Sequence, residues 1–139
     1  MSTSTPEAAP RPTPSGVVPY LSLDGATEAA AFYVRAFGAQ EVGAIPPDEK
    51  GRTMHIYLVV NGGALMLSDF YPEYGVPKVA PQGYTLHLQV DDIDKWFDRA
   101  VEAGATVAMA VHDAFWGDRY GQLRDPFGVT WAIGMTPKT

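Results

Sequence analysis

The chain has 139 residues, 46% of them hydrophobic and 12% aromatic, a globular composition with room for one ordinary domain. It holds no cysteine, which excludes disulfides, thiolate metal sites and a cysteine nucleophile. The net charge of −6, with no basic stripe, argues against nucleic acid as a partner and favours cationic over phosphate-rich ligands.

Residues 1–15 are rich in Ser, Thr, Pro and Ala. They lack the apolar core of a signal peptide and offer little to bury, so a disordered tail is expected ahead of one domain over 16–139. No apolar run reaches the length of a membrane span. No membrane partner is therefore expected, and the missing cysteines fit a reducing, cytoplasmic location.

From residue 17 strand and helix signals alternate. VVPYLSL predicts a strand. TEAAAFYVRAFG predicts a helix, with Thr27 able to cap its start, an apolar stripe of Ala29, Phe32, Tyr33, Ala36 and Phe37, and Gly38 ending it. QEVGAI predicts a short strand and PPDEKG a polar loop. RTMHIYLVV and GALMLSDF read as two strands joined at Asn61-Gly62, a strong hairpin signal.

The same order then recurs. YTLHLQV predicts a strand, and DDIDKWFDRAVEAG a helix with an Asp cap, a stripe of Ile93, Trp96, Phe97, Ala100 and Val101, and Gly104 at its end. TVAMAV predicts a strand, and RYGQLR and VTWAIGM flank an Asp-Pro-Phe-Gly turn. Trp131, Trp96 and Phe97 are expected in the core, while Asp118, Arg119, Arg124 and Asp125 are expected to shape turns or pair at the surface. Strand anchors of the two halves lie roughly 66–67 residues apart. The expected fold is α+β, two β-α-β-β-β modules spanning about 17–70 and about 83–136, each with a half-exposed sheet.

Three stretches carry a family resemblance: VPYLSLDGATEAAAFYVRAFGAQ, LHLQVDDIDKWFDRAVEAGA and FWGDRYGQLRDPFGVTWAI. Together they resemble the vicinal oxygen chelate superfamily, which includes glyoxalase I, extradiol dioxygenases and bleomycin-resistance proteins, and the last is similar to the ending of its PhnB-like subgroup. The resemblance implies a glyoxalase/bleomycin-resistance-like cupped sheet and a homodimer with pockets near the subunit interface. It is weak for reaction, because one fold hosts several chemistries.

In metal-using members, the resemblance implies four His, Glu or Gln ligands from the first and last strand of each module. The fourth stands four residues after the turn glycine, at Ala132, and the third six before the Asp of Val-Asp-Asp, at Thr85. The repeat carries these back to Met66 and Val18. None of Val18, Met66, Thr85 and Ala132 is a ligand of the expected kind, so neither a metal nor another cofactor is expected. No nucleotide-type glycine-rich strand-to-helix loop supports the methyltransferase label sometimes given to PhnB-like sequences.

A two-residue hairpin would set Val60 opposite Gly63, Tyr57 opposite Met66 and His55 opposite Ser68. With His87 two beyond Thr85 and Tyr20 two beyond Val18, alternation proposes one cup lined by Tyr20, His55, Tyr57, Met66, Ser68 and His87, with Trp116 and Tyr120 from the HDAFWGDRY loop at its rim. His55 is expected either to be satisfied by Ser68 or a carbonyl, or to face a ligand as donor or general base. His112 is expected in a loop. Asp69 would face the cup only if its strand were bulged. The leading expectation is a metal-free protein that binds a small molecule, sequestering an aromatic or cationic compound. The alternative is a divalent-metal-dependent lyase or dioxygenase using His55 and His87.

Overall fold

A computed structural model describes residues 13–138. Of the expected tail, residues 1–12 lie outside the described residues, and 13–15 carry no regular structure. The first module comprises β1 (Tyr20–Leu23), α1 (Ala26–Phe37), β2 (Gln40–Ala44), β3 (Ile56–Val60) and β4 (Gly63–Asp69). The second comprises β5 (Leu86–Gln89), α2 (Ile93–Ala103), β6 (Thr106–Asp113), β7 (Arg119–Arg124) and β8 (Thr130–Met135). A 3-10 turn over Pro72–Tyr74, unforeseen in the sequence, begins the connection between them.

Each module folds its own mixed sheet, in the orders β1-β4-β3-β2 and β5-β8-β7-β6. The repeat extends to irregularities. A bulge interrupts the β2–β3 ladder between Glu41 and Gly43, and one interrupts β6–β7 between Val107 and Met109. The β3–β4 hairpin has the expected register, Val60 opposite Gly63 and Tyr57 opposite Met66. Asn61 (φ 49°) and Gly62 (φ 82°) both adopt the left-handed backbone that the two-residue turn requires.

Every residue of the expected α1 stripe is buried, and Gly38 closes that helix in the left-handed conformation. The N-terminus departs from expectation. Gly25 occupies the capping position and Thr27 lies inside the helix. The cap comes instead from β4: Asp69 Oδ1 accepts from the backbone N–H groups of Gly25 (3.0 Å) and Ala26 (3.1 Å), and Oδ2 from Thr53 N–H (2.8 Å). The bonds from Gly25 and Ala26 satisfy donors at the helix start that have no partner within the helix, and the Thr53 bond ties the β2–β3 connection to the same carboxylate. On α2, Asp92 accepts from Lys95 N–H as expected, and Ile93, Phe97 and Ala100 are buried. Trp96 is only half-buried, its ring under the Arg99 guanidinium at 4.5 Å, and Val101 is exposed. Trp96 still packs against the core from its rim, whereas Val101 departs from the expected stripe, because α2 packs on its sheet with the narrower Ile93–Phe97–Ala100 face.

Each helix lies on one face of its own sheet, and the two helices pack against each other. The core runs between the modules, where Phe37 and Tyr33 of α1 meet Trp131 of β8 with ring centroids 4.5 and 5.2 Å apart. Burying each such ring contributes about 2 kcal/mol. Asp125 also sits here; it shapes its turn as expected, but from within the core rather than at the surface. It is 4% exposed and accepts from the Tyr33 hydroxyl (2.5 Å), the Trp131 indole (2.9 Å) and the N–H groups of Phe127 (2.8 Å) and Val129 (3.0 Å).

Candidate functional site

Alternation along each strand sends one set of side chains to the helix side and the other to an outer face. Leu21, Leu23, Leu58, Leu65 and Leu67 take the helix side of the first sheet, and Leu88, Leu123, Trp131 and Ile133 that of the second. The registers Tyr20–Met66, Ser22–Ser68 and Tyr57–Met66 then place these residues together on the first outer face. His87–Ala132, Gln89–Gly134, Tyr120–Gly134 and Gln122–Ala132 compose the second.

No strand of one sheet lies alongside a strand of the other. The expected site residues fall into two groups, Tyr20 touching His55 in one and His87, Tyr120 and Trp116 touching in the other, and these contacts do not cross from one group to the other. Tyr20, His55, Tyr57, Met66 and Ser68 belong to the first module, and His87, Trp116 and Tyr120 to the second. The reason is that the helices pack together, so that each module presents its own half. Where the modules meet, a cleft of about 320 Å³ opens between the start of β4 and β5, bordered by Pro19, Ala64, Thr85 and His87.

On the first face, the Tyr20 hydroxyl donates to the Met54 carbonyl at 2.7 Å and lies 3.0 Å from His55 Nδ1. A carbonyl only accepts, so the single hydroxyl proton points to Met54 and His55 Nδ1–H donates to the Tyr20 oxygen. His55 thereby pairs with Tyr20 rather than with Ser68, whose hydroxyl donates to the Asp69 carbonyl at 2.8 Å. Partial burial pushes the Tyr20 hydroxyl pKa up, which keeps it a donor. Tyr57 is buried at 5% exposure and Met66 is half-buried. Asp69 faces the helix side and its carboxylate is fully engaged there, so it is not a first-face ligand.

The second face is more polar and more aromatic. The His87 and Tyr120 rings run nearly parallel, 16° apart with centroids at 6.1 Å, and Trp116 meets Tyr120 edge-on at 5.1 Å. Trp116 is 52% exposed and Phe115, beside it on the β6–β7 turn, 98% exposed. His112 proves to be a strand residue of β6 opposite Tyr120, its Nδ1 2.9 Å from the Ala110 carbonyl. His87 Nε2 lies 2.7 Å from Gln89 Oε1, and Gln122 Nε2 donates to the Tyr120 hydroxyl at 2.9 Å. Sequence reasoning missed Gln89, Gln122 and Asp118 as members of this face. Gln89 and Gln122 were within reach of the same alternation, two residues beyond His87 and Tyr120.

The donor set does not fit a divalent ion. The fourth-strand positions Met66 and Ala132 stand beside Tyr20 and His87 rather than beside Val18 and Thr85. Neither set supplies more than one good ligand, and among the described residues no three His, Asp or Glu side chains converge as a metal requires.

Comparison with known proteins agrees with this architecture. A protein of Mycobacterium bovis is 45% identical over 124 residues, covering 84% of this chain and 80% of that protein. Protein YjdN of Escherichia coli is 29% identical over 140 aligned residues, covering 84% of this chain and 92% of that protein. Among solved structures, protein PA1353 from Pseudomonas aeruginosa superposes with a TM-score of 0.73 at 32% identity, covering 88% of this chain and 98% of that one. TioX from Micromonospora sp. ML1 does so at 0.70 and 27%, covering 88% and 99%. Residues 21–133 match the model of the Glyoxalase/Bleomycin resistance protein/Dioxygenase superfamily, and the chain belongs to that superfamily.

Proposed function

We propose that this chain is a small-molecule-binding member of its superfamily, which takes a planar aromatic or cationic compound against the outer face of the second sheet. The observation that carries the reading is the run of rings His87, Tyr120 and Trp116 on one open face. Such faces bind by apolar burial and ring stacking, with a few polar groups fixing orientation. The acidic balance of the chain suits a cation. We further propose that two copies pair, so that the first face of one covers the second face of the other. The exposed Val107 and Met109 on the β6 edge and Phe115 on the turn beside it are surfaces that pairing would cover.

Titration with proflavine, a planar aromatic cation, tests the site by calorimetry. Trp116→Ala and Tyr120→Ala should each weaken binding about tenfold, the worth of one stacked ring. Normal binding by both variants would remove the site. Light scattering should give twice the chain mass. The metal-dependent alternative needs His55 and His87 on one ion, and these stand on different modules. Elemental analysis after dialysis from zinc, nickel, manganese or ferrous iron separates the two readings: about one retained ion per chain would favour the enzyme.

A further inference from the structure

We propose that His87 is the ligand's hydrogen-bond acceptor on the second face, held in that tautomer by a relay from Asp118 through Gln89, and that the site selects planar aromatic molecules carrying an N–H donor. The inference deepens the proposed small-molecule site and rests on that reading for its ligand.

The proton positions follow from which groups can only accept. Gln89 Nε2 lies 3.5 Å from Asp118 Oδ2 and 3.0 Å from Thr136 Oγ1. A carboxylate accepts and never donates, so the Gln89 amide turns its NH₂ group to Asp118 and its oxygen to His87. That oxygen also only accepts. The proton between Gln89 Oε1 and His87 Nε2, 2.7 Å apart, therefore belongs to His87. The neutral ring then carries its hydrogen on Nε2 and leaves Nδ1 bare, an acceptor on an exposed residue of the face. The Asp118 charge, passed through the amide dipole, strengthens that acceptor.

The backbone is shaped for the relay. Gly134 stands opposite Gln89 on the neighbouring strand. A Cβ there would lie 2.8 Å from Gln89 Oε1 and 2.9 Å from His87 Cε1, closer than real Cβ contacts run. A glycine lets the amide and the imidazole meet above β8 with neither displaced. Arg119, the cation nearest in sequence, is bonded to Asp113 at 3.2 Å and lies 3.6 Å from Asp94, while Asp118 stands behind the relay. With Tyr120 beside the imidazole and Trp116 edge-on to Tyr120, the face offers rings and an acceptor, which suits a flat molecule with an N–H at its edge.

Two measurements test this. Nitrogen-15 spectra of histidine-labelled protein at pH 8 should show His87 as one tautomer with bare Nδ1. Gln89→Leu should raise the minor tautomer severalfold, and Gln89→Glu, which keeps an acceptor, should restore the wild-type pattern. A bare Nε2 in the wild type, or no change in Gln89→Leu, overturns the relay without any ligand. Calorimetry then compares proflavine with N-methylacridinium, a cation of similar shape without N–H groups. Proflavine should bind about tenfold more tightly, the worth of one net hydrogen bond, and His87→Ala should abolish the difference. Equal binding of the two dyes, still weakened by Trp116→Ala, overturns the acceptor role and leaves the aromatic site standing. Binding of neither dye overturns the proposed site and the ligand class drawn from it.

Discussion

In the first module the neighbouring pair on the outer face is Ser22–Ser68; at the corresponding rungs of the second it is Gln89–Gly134. One rung earlier, Tyr20–Met66 corresponds to His87–Ala132. The backbone ladder is the same in both. In the second module the fourth strand has given up its side chains, and the first strand has filled the space with an imidazole and an amide. The modules therefore differ in where they can hold a proton. On the first face the histidine comes from the loop before β3 and leans on Tyr20; on the second it stands in the sheet and leans on Gln89. A duplicated scaffold diversifies cheaply in this way, because exchanging volume between adjacent strands leaves the register and the core untouched.

The buried carboxylates sharpen the contrast and give the largest expected effects. Asp69 serves its own module, whereas Asp125 joins the β7–β8 turn to Tyr33 of the other. Burial first, and then the Asp125 charge, push the Tyr33 hydroxyl pKa far above its ordinary range, so it remains a donor. Asp125→Ala strips four donors, three of them buried, of their acceptor and should cost about 4 kcal/mol, lowering Tm by roughly 10–15 °C. Asp69→Ala frees three backbone donors and should cost about 2–3 kcal/mol. Thermal unfolding checks both. A smaller loss for Asp125→Ala than for Asp69→Ala would show that the modules are not joined through this carboxylate.

Most of the fold was legible because periodicity reports which face an element buries. The α1 stripe, the Asn61-Gly62 hairpin and the glycine stops all stand where the pattern put them. The N-terminus of α1 was not legible, since its cap is a side chain 43 residues away from Ala26. The burial of Asp125, which shapes its turn as expected, was not legible for a related reason. An Asp-Pro-Phe-Gly turn is a surface motif until tertiary packing brings a tyrosine from another element over it. The individual site residues were readable from alternation, but their grouping was not. Alternation fixes the face of a sheet, and nothing in it says how two sheets stand relative to one another.

Substitution at corresponding rungs probes the faces directly. Gly134→Ala should displace the His87–Gln89 pair and weaken dye binding about tenfold, with a stability cost of about 1 kcal/mol from overpacking. Ser68→Ala, at the matching rung of the first sheet, removes a hydroxyl bonded to its neighbour's carbonyl and should change stability by less than about 1 kcal/mol, leaving binding on the second face unchanged. Equal effects of the two substitutions on binding would mean that the ligand contacts both faces.

The smallest effect lies in a feature of the first module alone. Its β2–β3 connection is longer than the β6–β7 turn and is fastened by Arg52, which bonds Glu73 at 3.0 and 2.7 Å, reaches Asp48 at 3.4 Å and covers the Tyr71 ring at 4.4 Å. Hydrogen bonds from Arg52 hold the Glu73 carboxyl down at about 2, and the backbone N–H of Arg52 is the main cause of the lowered Asp48 pKa. A carboxyl depressed in the folded state stabilises above its ordinary range and loses that contribution as pH falls through the folded value. The fastening should therefore hold at neutral pH and release between about pH 4 and pH 2. Both partners are solvated, so the effect on global stability should be slight. The carbon-13 shift of the Glu73 carboxyl reads it locally. Its midpoint should rise towards the ordinary glutamate range of about 4.3 in Arg52→Gln, with the hydrogen bond from Glu73's own backbone keeping part of the depression. A midpoint that stays near its wild-type value would assign the depression to the turn backbone of Pro72–Tyr74, and the longer connection of the first module would then be held by packing on Tyr71 rather than by charge.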